Sequence, residues 1–137
     1  MEMICEHLVD GRITGIDRSP IAVAAAARRL EQQIHSGKAR LLTATLADAE
    51  LEERFDKVFA VNVNVFWLGP ARELTVLRRA LAPGGRLYLF YEPPSAAQME
   101  RALQRCRTFL DESGYAVLDV LRADLSPHLG LCLVARL

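Results

Sequence analysis

Strand-like and helix-like hydrophobic periods alternate four times along this chain, and two further strand-like runs then follow in close succession. Parallel neighbours need a long crossover, normally a helix, whereas a short turn can join antiparallel ones. The order therefore predicts an α/β fold: a doubly wound, mostly parallel sheet that finishes in an antiparallel hairpin. It excludes a β-sandwich and a helical bundle, neither of which produces this alternation.

Local chemistry places the elements. Arg12 to Asp17 (RITGID) is a short apolar run ending on an acid. Ser19-Pro20 starts a helix, since the hydroxyl accepts an orphan N–H and the fixed proline φ suits the first turn. That helix is expected to set Val23, Ala27, Leu30 and Ile34 on one face and to stop at Ser36-Gly37. Arg40 to Ala44 is a second strand, and Leu46 to Arg54 a helical turn and loop. Lys57 to Val65 (KVFAVNVNV) is almost continuously apolar, as expected of a strand covered on both faces. Gly69-Pro70 opens a helix with Leu74, Leu77 and Leu81 as its buried stripe, stopped by Pro83-Gly84-Gly85. Arg86 to Tyr91 is the next strand, broken by Pro93-Pro94. Ser95 caps a long helix with Met99, Leu103, Cys106 and Leu110 in register, ending at Ser113-Gly114. Tyr115 to Ala123 and Leu129 to Leu137 are the closing strands, with a turn around Ser126-Pro127.

Composition narrows the class. With 137 residues the chain is the length of one domain, without linker or internal repeat. Apolar residues make up 51% and charged residues 25%, so a packed core is feasible and disorder is excluded. Lys+Arg and Asp+Glu both total 17, a balance unlike that of proteins that bind nucleic acid or membrane surfaces through phosphate charge. No apolar run reaches the roughly 20 residues of a membrane span, and charges interrupt the N-terminus too soon for a signal peptide. A soluble, cytoplasmic protein is expected. Cys5, Cys106 and Cys132 are scattered and read as small buried residues. His7, His35 and His128 form no metal-ligand spacing with them, so no metal site is predicted. No signature of a nucleophile triad or Walker loop occurs.

In an open α/β sheet, ligands bind outside the carboxyl ends of the strands. Asp17 stands at one such end and can accept both hydroxyls of a nucleoside ribose; it can equally serve N–H groups of the helix start. Asn62 and Asn64 share a face of an apolar strand, where an unpaired amide is costly. They can hold polar groups of a ligand or bond to loop backbone. Phe66 and Trp67 can wall a sulfonium or planar group through cation–π contact, or belong to the core. Glu92, before the rigid Pro93-Pro94 exit, can orient a substrate or remain a solvated loop acid. Arg28-Arg29, Arg78-Arg79, and Arg101 with Arg105, fall on expected solvent faces.

At these residues the sequence resembles the class I S-adenosylmethionine-dependent methyltransferases, over essentially its full length. RITGIDRSPIAVAAAARRL resembles the second strand and helix of that family, with its G-[IV]-D-x-S stretch. FDKVFAVNVNVFW resembles the fourth-strand motif, and LRRALAPGGRLYLFYEPP the L-x-P-G-G-x-L segment before the fifth strand. A helix ending in ESGY and a terminal hairpin complete the likeness. The resemblance implies a Rossmann-like fold and S-adenosyl-L-methionine as cofactor. It puts Asp17 on the ribose, with Arg18 and Ser19 beside the adenosine. The place of the family's adenine-contacting acid falls on Thr45, followed by Leu46. Asn62 and Val63 border the methionine half. Methyl transfer to a small-molecule or otherwise unidentified acceptor follows, resting on proximity and orientation without an obligatory acid or base; catalytic residues stay unknown.

The family's opening strand and G-x-G-x-G loop have no counterpart here, and Met1 to Val9 resembles the end of the helix that follows that loop. The chain is thus expected to be a single, N-terminally incomplete methyltransferase-like domain, weak or inactive in cofactor binding. A late coding start, a degenerate relative and a sheet completed by a partner chain or homo-oligomer are the alternatives. Two other functions remain open: a non-enzymatic remnant acting as an interaction or regulatory subunit, and a nicotinamide-dependent oxidoreductase.

Overall fold

A computed structural model describes residues 1–125 and 128–137; the turn expected around Ser126-Pro127 lies outside the described residues. The chain forms two compact units, Met1–Glu50 and Leu51–Leu137.

In the first unit, a short helix α1 (Glu2–His7) precedes strand β1 (Ile13–Asp17), helices α2 (Pro20–Arg29) and α3 (Glu31–His35) and strand β2 (Ala39–Thr43). A 3-10 turn at Leu46–Asp48 follows. β1 and β2 pair in parallel, with Ile13 opposite Ala39 and Asp17 opposite Thr43. Ser19 caps α2 as expected: its hydroxyl accepts the Ala22 N–H at 3.2 Å, with Pro20 in the first turn. The single helix expected to run on through Ile34 is instead broken at Leu30, whose φ is −107°. The backbone leaves helical geometry where Leu30 seats in a cluster with Cys5, Ile13 and Ala39. Ile34, beyond the break, is 37% exposed and not part of a buried stripe.

The second unit contains β3 (Phe55–Val61), α4 (Val65–Leu68), α5 (Ala71–Ala80), β4 (Leu81–Tyr91), α6 (Ala96–Glu112), β5 (Ala116–Leu125) and β6 (His128–Arg136). Its four strands lie in the order β3-β4-β6-β5. β3 and β4 are parallel, joined through α5, while β6 is antiparallel to both β4 and β5. The mostly parallel sheet with a closing antiparallel hairpin is thus realised as a parallel pair in the first unit and a mixed sheet in the second. Leu74 and Leu77 of α5 and Met99, Leu103, Cys106 and Leu110 of α6 are buried, as their helical spacing requires. Tyr115 is also buried, donating its hydroxyl to the Leu74 carbonyl at 3.0 Å.

Two strand expectations are corrected. β4 begins at Leu81 and carries Pro83-Gly84-Gly85 within it: Phe55 faces Leu81, Lys57 faces Arg86, and the intervening residues bulge outward. Gly85 is required there, because a Cβ would lie 2.9 Å from the carbonyl oxygens of both Phe55 and Ala82. β3 ends at Val61 rather than Val65, and it is not covered on both faces. Phe59 is 38% and Val61 55% exposed. Their opposite numbers on β4, Tyr88 and Phe90, extend the same face, and Phe90 is exposed as well.

Candidate functional site

Parallel pairing sends the carboxyl ends of β1 and β2 to one edge of the first unit, and most of the residues expected to contact adenosine are there. Asp17 is exposed at the end of β1. Its Oδ1 accepts the Ser19 N–H at 2.8 Å, and its backbone carbonyl accepts the Ala44 N–H at 3.1 Å. The turn-satisfying role of this acid is therefore real, yet it engages one carboxylate oxygen; the other has no partner among the described residues. Arg18 is exposed beside it. Across the edge, the Thr45 hydroxyl donates to Asp48 Oδ2 at 2.6 Å, and Leu46 opens the 3-10 turn. Asp48 is an acid that reading the Thr45 position alone missed. The signal was its placement three residues on, one tight turn away.

The carboxyl ends of β3 and β4 form the corresponding edge of the second unit. Asn62 follows β3 with φ of 54°, a left-handed conformation that asparagine tolerates better than other side-chain-bearing residues. Its N–H donates to the Phe90 carbonyl at 2.9 Å, and its Oδ1 accepts the Glu92 N–H at 2.8 Å. The amide thus ties the two strand ends together, which is the loop-backbone alternative. Because β3 has already ended, Asn62 and Asn64 do not share a strand face, contrary to expectation. Val63 is 39% exposed between them. Replacing Asn62 with alanine is expected to cost about 2 kcal/mol, from the left-handed backbone and the lost bond together. Glycine recovers the first part alone, and aspartate, which keeps both the tolerance and the acceptor, is expected to be near neutral in urea unfolding.

The two aromatics after β3 separate. Phe66 is core, 2% exposed. Trp67 is half-buried and meets Tyr91, at the end of β4, with ring centroids 4.1 Å apart and planes inclined by 38°. Together with Gln98, Arg101, Ala102 and Arg105 of α6, they line an open depression of about 290 Å3. Arg101 and Arg105 were expected on a solvent face. They are exposed, but they border this depression, and neither is bonded to a described residue. The available signal was their spacing of one helical turn.

Cysteine chemistry is absent from these edges. Cys5, Cys106 and Cys132 are free and buried. Burial pushes the Cys106 thiol up to about 12, so it is a poor nucleophile at neutral pH. Burial also raises Cys132, with Asp119 adding to the shift. Among the described residues, no group of three or more His, Cys, Asp or Glu side chains is arranged for a metal ion, and no helix is long and apolar enough to cross a membrane.

Parallel strand pairs with crossover helices, acids and amides at strand carboxyl ends, and a closing antiparallel pair define a Rossmann-like fold of the methyltransferase type. A methyltransferase-domain family model matches residues 1–87, and the chain belongs to that family, the class I S-adenosylmethionine-dependent methyltransferases. It is 26% identical over 141 aligned residues to YdaC, an uncharacterized methyltransferase of Bacillus subtilis strain 168, covering 99% of this chain and 76% of that one. Among solved structures, an S-adenosylmethionine-dependent methyltransferase from Clostridium acetobutylicum superposes with a TM-score of 0.76 at 10% identity, over 99% of this chain and 78% of that one. The N-methyltransferase NodS from Bradyrhizobium japonicum, in complex with S-adenosyl-L-homocysteine, does so with a TM-score of 0.69 at 18% identity. That match covers 91% of this chain and 66% of NodS, so this chain spans just under two thirds of NodS and about three quarters of the other two. At these identities the structural likeness shows the fold.

Proposed function

We propose that residues 1–137 act as one methyltransferase-like domain that binds S-adenosyl-L-methionine and methylates a small-molecule acceptor. Asp17 carries the reading. Its carboxylate is exposed at a strand end, anchored through one oxygen by the Ser19 N–H, and free at the other. This acceptor chemistry fits a ribose diol, because a carboxylate held at one oxygen still offers lone pairs to hydroxyls. Arg18 and Ser19 on the same edge, with Thr45 and Leu46 leaving the adjacent strand, are assigned to the adenosine half. Asn62 and Val63 are assigned to the methionine half on the strength of the family motif, with Asn62 stiffened by its bond to Glu92. When bound, the cofactor supplies an electrophilic methyl group on sulfur. The contribution of the chain is to bind and orient, which can provide much of the rate without an acid or base. Three unpaired cysteines support a reducing, cytoplasmic setting.

Isothermal titration with S-adenosylmethionine tests this. Weak binding is expected for the wild-type chain, which has no counterpart of the family's glycine-rich loop, and Asp17→Ala should weaken it further by about 1.5–3 kcal/mol, the worth of a charge-assisted hydrogen bond. Equal affinity of the variant would remove Asp17 from the site. Absence of binding by the wild type would overturn the methyltransferase reading in favour of an interaction or regulatory subunit.

A further inference from the structure

The depression at the carboxyl edge of β3 and β4 has a chemistry that the cofactor does not account for. One wall is aromatic, formed by the Trp67–Tyr91 pair. The lining is also cationic, through Arg101 and Arg105, which lie one turn apart on α6 and so project from the same helix face. Neither guanidinium is satisfied by a described carboxylate or carbonyl. Gln98, in the first turn of α6, adds an amide with both donor and acceptor capacity. The volume of about 290 Å3 sits at the small end of ligand sites, too small for a peptide segment and suited to a compact ring.

We infer that this depression binds a planar aromatic acid, whose ring packs on Trp67 and Tyr91 while its carboxylate bridges toward Arg101 and Arg105. An aromatic pair with planes inclined by 38°, next to an unpaired guanidinium pair, complements such a molecule at both ends. A neutral ring satisfies only the wall, and a small aliphatic anion only the arginines. The position at strand carboxyl ends makes this the acceptor subsite, a role that rests on the methyltransferase reading; the binding itself does not depend on it.

Trp67 is the sole tryptophan of the chain, so intrinsic fluorescence reports directly on the depression. Titration of the intact chain with benzoate, benzamide and acetate separates the contributions. Benzoate is expected to quench Trp67 saturably in the millimolar range. Benzamide should bind at least about ten-fold more weakly for want of the charge-assisted bonds, and acetate should leave the signal unchanged. The R101Q/R105Q double variant should lose benzoate affinity by a similar factor, R101K/R105K should recover part of it, and R79Q, an exposed arginine outside the depression, should behave as wild type. Equal responses to benzoate and benzamide, or wild-type affinity in R101Q/R105Q, would overturn the proposal. So would the absence of a saturable benzoate response. Since no cofactor is present in the cuvette, its outcome is independent of the S-adenosylmethionine titration. Arginine-dependent benzoate binding without cofactor binding would leave the aromatic-acid site standing and remove its acceptor role.

Discussion

Phe66→Ala is expected to lower the unfolding free energy by about 3–5 kcal/mol, the range for deleting a fully buried aromatic ring. Phe66 is 2% exposed in α4, whereas Trp67, the next residue, is half-buried against Tyr91. Truncating Phe66 removes transfer free energy and leaves a void that a close-packed core only partly refills. Truncating Trp67 removes a ring whose outer side already faces solvent, so Trp67→Ala should cost distinctly less in stability while abolishing the aromatic wall of the depression. Urea unfolding of the two variants, followed by far-UV circular dichroism, measures the difference. Equal destabilisation would contradict the division between a core aromatic and a site aromatic.

The second large effect is alkaline. Burial raises the Cys106 thiol from 9.0 to about 12. It likewise raises the Tyr115 phenol from 10.0 to about 12, against a smaller opposing pull from the Arg78 guanidinium. In both cases the folded state holds its proton more tightly than the unfolded chain. Their contribution is therefore fully present below pH 9 and is lost as pH climbs from 9 toward 12, first through the thiol and then through the phenol. At about 1.4 kcal/mol per pH unit of difference, the two together amount to several kcal/mol, comparable with the whole stability of a small domain. Unfolding free energies measured across this window should fall steadily. Cys106→Ala lowers the level through a small cavity but should flatten the early part of the decline. Tyr115→Phe gives up the bond to the Leu74 carbonyl, about 1 kcal/mol, and should flatten the later part. An unchanged slope in both variants would mean that neither group drives alkaline unfolding.

Features that depend on residues close in sequence were legible before any coordinates. Ser19 and Ser95 cap their helices through hydroxyls that accept N–H groups three residues on, because capping is a local bond between neighbours. The placement of Asp17 at a strand end followed from the apolar run before it and the helix start after it. Even its hydrogen bond to the Ser19 N–H was among the anticipated outcomes, since the two residues are nearly adjacent. The burial of Leu74 and Leu77 on α5 and the stripe of α6 followed from helical spacing, whereas Leu81, expected on the α5 stripe, is the first residue of β4. Less legible were features in which residues far apart decide the result. An unbroken helical pattern runs across Leu30, yet the helix breaks there, where Leu30 enters a cluster with residues on α1, β1 and β2. A continuous apolar run predicted a doubly covered β3, but exposure of Phe59 and Val61 is set by what packs over them, which no run of residues encodes.

The candidate site divides along the same line. Asp17, Asn62 and Trp67 could be singled out because an acid, an amide and large aromatics at strand ends are conspicuous locally. Which neighbours each meets was decided by residues distant in sequence: Asn62 by Glu92 on the next strand's exit, Trp67 by Tyr91 and the arginines of α6. By itself, the order of hydrophobic periods, caps and turn residues determined the α/β class and the edges at which ligands can sit, since these follow from backbone geometry repeated over a few residues. Only the tertiary structure decided that Phe66 is core while Trp67 faces a depression, and that two arginines suited to a solvent face border an aromatic wall. Those outcomes depend on how a helix rotates about its axis when its apolar stripe meets the sheet. That rotation is fixed by side-chain packing summed over the whole interface, not by the residues that end up in the site.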